Sequence, residues 1–284
     1  MRTPIGSFGC LIATLVLGCA HESEGPLATA SVPASTYDAT VQGPSPAAAS
    51  SELERDVHVD RSATEALSRM GDYLRSLPKF EVRADTSTDL VLDNGQNASY
   101  LHETVLDVQR PDRARAEVLG SRKPRGIVYD GRDFVIFNQG EGYYSRNPAP
   151  PTLNGLVHEL ATVYNIEMPL VNLFYWGNGK VDELVLTSAQ DLGLEKVNAR
   201  WCTHYAYRQQ GVDWELWVER GSRPLPCRMV ITDTTQESRP RHAVTYHWNL
   251  LPAFKASTFV YRPPPGAHSI ELKPAFDSPL QEAQ

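Results

Sequence analysis

The sequence predicts an α+β protein built on a single strongly curved antiparallel sheet, a half-barrel of about eleven strands. Two series of short, alternating segments separated by turn residues lie on either side of residues 148–176, the longest apolar and helix-patterned stretch of the body. An amphipathic helix precedes both series. We therefore expect one sheet whose hollow side carries the N-terminal helix and a central pair of helices formed by residues 148–176, which we call the plug.

The N-terminus predicts export and a lipid anchor. Residues 1–18 combine Arg2 with an apolar run too short to span a bilayer, as in a signal peptide. The run ends at Val16-Leu17-Gly18-Cys19, which resembles a bacterial lipobox. We expect cleavage before Cys19, lipidation of its thiol and anchoring in the outer membrane, facing the periplasm, because Ala20 rather than Asp follows it. An ordinary signal peptide cut elsewhere is the alternative.

We expect residues 19–57 to consist of a lipidated cysteine followed by a disordered linker. The stretch is dominated by Ala, Ser, Pro, Thr and Gly, and such a composition buries too little apolar surface to offset the entropy of ordering. The formal net charge of −7 argues against a nucleic-acid partner, which would require a basic face.

The predicted body covers residues 58–266 and begins with a helix at 60–77. Ser62 and Glu65 fit a capping box, and Pro78 ends the helix. Two meanders follow, separated by the plug, and a loosely ordered tail is expected at 267–284. The first meander is predicted at residues 80–90, 98–109, 113–118, 127–129, 134–137 and 143–144, and the second at 192–197, 200–209, 212–219, 225–233, 242–249 and 258–261.

The plug predicts two short helices. Its first apolar stripe recurs at helical spacing, and Pro169 is suited to the first turn of a second helix at 169–174. The stripe consists of Leu153, Leu156, Val157, Leu160, Val163 and Tyr164.

Four runs of the body carry a family resemblance: DFVIFNQGEGYYSRNPAPPTLNGLVHEL, IEMPLVNLFYW, VDWELWVE and PLPCRMVIT. Together they resemble a bacterial domain-of-unknown-function family of predicted periplasmic proteins. That family is similar in fold to the LolA/LolB lipoprotein-localisation factors and to related mycobacterial lipid-binding lipoproteins. The resemblance implies a periplasm-facing half-barrel with an apolar cavity, and it transfers no functional residue to this chain.

We find no catalytic or metal-binding constellation in the sequence and expect no cofactor. His158-Glu159 begins a zinc-protease motif, but Thr162 stands where the second histidine would be needed. Ser76 and Lys79 have the spacing of some serine acyl enzymes but fall across a helix end. The strand histidines His204 and His247 have no partner at metal-ligand spacing.

Cys202 and Cys227 form a possible disulfide, for which composition and topology give opposite answers. Export permits a bond. In a simple meander, however, the strand at 212–219 lies between the two cysteines, which places them about 9–10 Å apart, beyond the ~7 Å Cα limit for a bridge. We therefore expect that they are not bonded.

Three functions remain open from the sequence. The favoured one is a membrane-anchored periplasmic lipoprotein that binds or carries a lipid or another apolar molecule in the half-barrel. An envelope scaffold with a protein partner would instead be favoured if Trp217 and Trp248 were exposed, and a hydrolase is the third alternative. Seven residues of the plug are candidates to line a ligand site, and the alternative is that they only pack in the core. They are Leu156, Leu160, Leu170, Leu173, Phe174, Tyr175 and Trp176.

Overall fold

The computed structural model describes residues 58–120, 124–138, 140–176 and 185–275. The signal peptide predicted at 1–18, the lipidation site Cys19 and the linker predicted up to residue 57 lie outside the described residues, as does the end of the predicted tail. Within the described part of the chain, no helix is long and apolar enough to cross a membrane.

The described chain contains three α-helices and twelve strands that form one sheet. The elements are α1 (Arg61–Ser76), β1 (Lys79–Val91), β2 (Asn97–Gln109), β3 (Arg113–Leu119), β4 (Arg125–Tyr129), β5 (Asp133–Asn138), β6 (Tyr143–Pro148), α2 (Leu153–Thr162), α3 (Asn172–Trp176), β7 (Ser188–Val197), β8 (Arg200–Gln209), β9 (Val212–Glu219), β10 (Pro226–Asp233), β11 (Arg241–Asn249) and β12 (His268–Ser269).

The predicted fold class is confirmed: the sheet is single, open, strongly curved and mostly antiparallel. Its order is β12-β6-β5-β4-β3-β2-β1-β11-β10-β9-β8-β7, so each meander forms one half. The halves meet where β1 pairs with β11, with Ala84 opposite Tyr246. This pairing places the plug, which connects β6 to β7, across the hollow between the two halves.

The last predicted strand was misplaced. Residues 256–259 form a turn and residues 260–261 are irregular, and the twelfth strand is instead β12, which pairs in parallel with β6 inside the segment predicted to be a loose tail. Farther on, the Ala275 amide donates to the Val163 carbonyl at 2.9 Å. A two-residue strand has no alternation that a sequence pattern could reveal.

Residues 250–262 form a strap across the convex face of the first half of the sheet. Lys79 donates to the Pro252 carbonyl at 2.8 Å, and Arg115 donates to the Thr258 carbonyl at 3.2 Å. Tyr261 stacks on Phe137 with their ring centroids 4.7 Å apart. The strap covers one face of the sheet while the helices cover the other, so both faces of this half are shielded.

The predicted capping box of α1 is wrong. The N-cap is Asp60 and its side chain makes no capping bond. Its carboxylate instead accepts a hydrogen bond from the Asp191 amide of β7 at 3.0 Å, while Glu65 pairs with Arg61. The start of the helix is thus fixed by a neighbouring strand, which local sequence cannot show.

The second plug helix also starts later than predicted. Residue Leu170 has φ 58, which no α-helix accommodates, and α3 begins at Asn172 rather than Pro169. The first plug helix follows its predicted stripe from Leu153 to Leu160 but ends at Thr162, so Val163 and Tyr164 lie beyond it. Thr152 caps α2 by accepting from the Gly155 amide at 3.1 Å.

Cys202 and Cys227 are joined by a disulfide, so the topological argument against the bond is wrong. The ladder between β10 and β9 shifts register between Pro226 and Arg228, and Cys227 lies in that irregularity. This brings the two Cα atoms to 6.8 Å across the intervening strand. On the convex face, the bridge is buried in a small cluster with Trp217 and Val230.

We predict that removing this disulfide lowers the free energy of unfolding by about 3 kcal/mol, because the bridge restricts the unfolded chain over a separation of 25 residues. A Cys202→Ala/Cys227→Ala double variant should show the loss in urea unfolding. Reductant should produce the same loss in the unmodified chain and none in the variant. A reductant-insensitive midpoint for the unmodified chain would contradict the bond.

Candidate ligand-binding site

The hollow of the sheet is filled by helices that attach at different places. On the side of β7–β9, the Tyr207 hydroxyl donates to the Ala63 carbonyl of α1 at 2.9 Å. On the side of β3–β6, the Tyr129 hydroxyl donates to the Pro150 carbonyl just before α2 at 2.6 Å. At the centre, Asn172 of α3 contacts the Met229 sulfur at 3.6 Å. The hollow is therefore covered by three separate pieces.

The predicted ligand-lining residues divide into two groups. Five of them are buried in the main apolar cluster together with side chains from the sheet: Leu156, Leu160, Leu173, Phe174 and Trp176. Leu170 is partly buried, and Tyr175 is 40% exposed. In this arrangement the five make up the underside of the plug. Their contact with a ligand remains a prediction.

A polar patch lies on the concave face of the sheet, in line with the apolar positions of the same strands. The pairing of neighbouring strands places its members. His102 lies opposite Thr86, which is two residues from the buried Ala84 on the same face of β1, and His242 lies opposite Thr88. In the full set, side chains of β1, β2, β4 and β11 share this face. The polar patch consists of Thr86, Thr88, His102, Thr104, Arg125 and His242.

Two hydroxyls on this face are buried without a hydrogen-bond partner among the described residues. They are Thr86 Oγ1, in a side chain 5% exposed, and Tyr246 Oη, in a side chain that is completely buried. Leaving a buried polar group unsatisfied costs about 1–3 kcal/mol. These hydroxyls mark a place where a polar partner would stabilise the protein.

The two histidines of the patch resist protonation. Burial and the nearby Arg125 lower the pKa of His102, and burial and the proximity of His102 lower the pKa of His242 to about 4. Nδ1 of His242 lies 2.9 Å from the Thr88 hydroxyl. Both imidazoles are therefore neutral at pH 7. No carboxylate contributes to the change in either pKa.

A depression of about 120 Å³ lies elsewhere, between α1 and the ends of β8 and β9. It is bordered by Arg69, Tyr205 and Glu219, among others. Ligand pockets usually measure about 300–1,000 Å³. This depression is therefore too small for an acyl chain as it stands.

The histidines and tryptophans that the sequence singled out are on other surfaces. His204 stacks on Trp217 on the convex face, with their ring centroids 3.9 Å apart, and it lies between Glu195 and Glu215. His247 pairs with Asp85. Trp217 is 7% exposed and Trp248 is half-buried, so neither provides the exposed aromatic surface that would favour a scaffold.

Sequence reasoning missed the polar patch. His102 and His242 have the same parity along their strands as Leu106 and Val244, which are core residues. That alternation could have placed each histidine on the concave face. What it could not supply was the register that sets them on either side of β1, since pairing partners far apart in the chain are not encoded in local pattern.

Comparison with protein families identifies the chain. Residues 63–273 match the family DUF2092, described as predicted periplasmic protein, and the chain belongs to that family. The family resemblance read from the sequence is thereby confirmed. Comparison with curated protein sequences gives no significant match.

Several solved structures are similar to the chain in fold alone. An uncharacterized conserved protein from Thermus thermophilus is 13% identical with a TM-score of 0.41, covering 74% of this chain and 99% of its own. The Mycobacterium tuberculosis lipoprotein LppX is 14% identical with a TM-score of 0.42, covering 67% and 96%. A LolA superfamily protein from Nitrosomonas europaea is 13% identical with a TM-score of 0.34, covering 70% and 97%.

We predict that Tyr246→Phe stabilises the refolded, ligand-free chain by about 1 kcal/mol, because the variant removes a buried hydroxyl that has no partner. Tyr207→Phe is the matched control: it also loses a buried tyrosine hydroxyl, but one that donates to Ala63, and should destabilise by a similar amount. Urea unfolding measures both. Equal destabilisation by the two variants would show that the Tyr246 hydroxyl is already satisfied.

Proposed function

We propose that this member of a predicted periplasmic family binds a lipid or another apolar molecule in the hollow of its sheet. The observation that carries the proposal is the pair of unpartnered hydroxyls, Thr86 Oγ1 and Tyr246 Oη, on the floor of a largely apolar hollow. In a sheet face that only packs against helices, these unpartnered hydroxyls would lower the stability of the fold. A guest with some polar atoms would satisfy them.

The construction of the plug supports entry of a guest. α3 has five residues, and the connection between α2 and α3 includes left-handed backbone at Asn165 and Leu170. The underside of the plug meets the sheet through apolar side chains, whose attraction depends on buried area rather than on direction. An apolar guest can replace these contacts without exposing the same surface to water.

The predicted N-terminus fits the same function. A lipid attached at Cys19 and a disordered linker to residue 57 would hold the body near a membrane while leaving it free to turn. We propose that the anchor lies in the outer membrane and faces the periplasm, and that the body spans residues 58–266 as a LolA-like half-barrel, with β12 added by the residues that follow.

A binding role fits the polar patch better than a hydrolytic one. Thr88 and His242 form the only nucleophile-and-base pair that the described patch residues suggest, at 2.9 Å. A base works best with a pKa near the working pH, and the pKa of His242 is lowered to about 4. No described carboxylate is hydrogen-bonded to that imidazole to orient it, and the described residues contain no cluster suited to a metal ion.

A docking role for a protein partner is the second candidate, favoured by the outer edge of β7. Beyond its short bridge to Val59, this strand pairs among the described residues with β8 alone. Leu192, Leu194 and the neighbouring Trp201 are each about half exposed there, at 50%, 48% and 56%. An open strand with apolar side chains suits addition of a partner's strand.

We predict that the unlipidated full chain (Cys19→Ser) binds a fluorescent fatty-acid probe saturably and that Thr86→Phe weakens binding about tenfold, because the larger side chain occupies the hollow. Ser87→Phe is the matched control, since its side chain points to the opposite face of the same strand. Unfolding midpoints establish that the variants fold. If Thr86→Phe does not fold, the Thr88→Phe variant is used in its place. Absence of binding by the parent chain, or equal binding by the Thr86 and Ser87 variants, would refute a ligand in the hollow.

A further inference from the structure

We infer that the polar patch binds the anionic head group of an amphiphile, a carboxylate or phosphate oxyanion whose acyl chain lies under the plug. The inference rests on the proposed function and adds the chemical class of the ligand and its orientation. Three features of the hollow carry it: the supply of donors, the sign of the nearby charge, and the change from polar to apolar along the rows of the sheet.

The patch offers hydrogen-bond donors that face one space. Thr86 projects between His102 on the neighbouring strand and Thr88 two residues along its own strand. If the Thr88 hydroxyl donates to Nδ1 of His242, the ring proton lies on Nε2, which is then a donor. The Thr86 hydroxyl is buried and unpartnered, and so it is available to a ligand oxygen.

The charged side chain of the patch is a cation. Arg125 of β4 lies on the concave face, opposite Val118, and its guanidinium is close enough to lower the pKa of His102. The charged side chains of β1 alternate onto the convex face, where Arg83 pairs with Glu81 and Glu103. An anion in the patch would therefore meet Arg125 and neutral donors, with the strand carboxylates on the other side of the sheet.

The rows of side chains across the sheet change character from the patch towards β9. One row runs from His102 through Thr86 and Val244 to Met229 and Leu216. A parallel row runs from Thr88 through His242 and Ile231 to Trp214. Each row starts polar and ends apolar, which is the pattern that an amphiphile requires when its head rests over β1–β2 and its chain extends towards β9.

The register of Tyr246 agrees with this orientation. Tyr246 lies opposite Ala84, between the patch and the apolar end of the hollow, and its hydroxyl is unpartnered. A head group with several oxygens extends beyond one donor. It could engage this hydroxyl together with that of Thr86, while a purely hydrocarbon guest would leave both unsatisfied.

Calorimetric or competition binding to the unlipidated full chain (Cys19→Ser) at pH 7.4 tests the inference with four probes: dodecanoic acid, dodecyl phosphate, 1-dodecanol and inorganic phosphate. At least one of the anionic amphiphiles should bind with an affinity about ten times that of the alcohol, or higher. The reason is that hydrogen bonds to a charged group contribute more to the binding free energy than those to a neutral group. Inorganic phosphate, which lacks the chain, should bind more weakly than either amphiphile.

Substitutions locate the head group. His102→Gln, His242→Gln and Arg125→Gln should each reduce the preference for the anion over the alcohol, by about threefold or more, and leave alcohol binding nearly unchanged. His247→Gln is the matched control, because His247 lies on β11, the same strand as His242, but on the convex face, paired with Asp85. These are polar replacements at positions that are not fully buried, so folding should be retained, and unfolding midpoints verify it.

The outcomes separate this inference from the proposed function. Equal affinity for acid, phosphate and alcohol, with an unchanged ratio in the three variants, would overturn the head-group site while leaving apolar binding in the hollow intact. Inorganic phosphate binding as tightly as dodecyl phosphate would identify a free-anion site and also overturn it. Failure of every probe with a chain to bind would overturn both.

Discussion

The pairing of β1 with β11 is the constraint on which the rest of the structure depends. β1 is the central strand of the sheet, paired with β2 from Lys79 to Val91 and with β11 from Glu81 to Thr88. These ladders join two meanders that are separated in sequence by the plug and fix their register. Because side chains alternate between faces, the same register decides which residues of the two halves share the hollow.

The hollow has two properties that an ordinary protein core does not combine. Its greater part is apolar and covered by α1, α2 and α3, which together shield the concave face from water. Its central strands nevertheless carry threonines, two histidines and buried hydroxyls without partners. Burial of such groups weakens a protein that stays empty. Their presence is therefore easier to explain in a protein that holds a guest than in one that is solid throughout.

On the convex face, several polar groups find partners within the protein. There His204 lies between two glutamates and stacks on Trp217, and the strap satisfies Lys79 and Arg115 through its carbonyls. The disulfide between Cys202 and Cys227 closes this side of the second half. The outer face is thus held by covalent, ionic and strap contacts, whereas the helices meet the inner face mainly through apolar side chains.

Most of the fold could be predicted from the sequence because alternation and turn residues are local signals. β8 and β9 were placed residue by residue, and four of the six residues of the predicted stripe, Leu153, Leu156, Val157 and Leu160, are buried in α2. The features that were missed are set by contacts distant in the chain: the Asp60–Asp191 bond at the start of α1, the irregularity at Cys227, and β12. The polar patch belongs to the same class, since its histidines flank β1 through the register of that strand with two others.

Native mass spectrometry of the chain, extracted gently from its host's envelope, tests most directly whether the hollow holds a ligand. We expect the folded body to carry one additional mass in the range of a lipid or similar amphiphile, which is released when the protein unfolds and is absent after Thr86→Phe. A chain that consistently appears at its bare mass, under conditions that preserve the fold, would contradict a ligand-binding hollow and leave the edge of β7 as the better candidate for function.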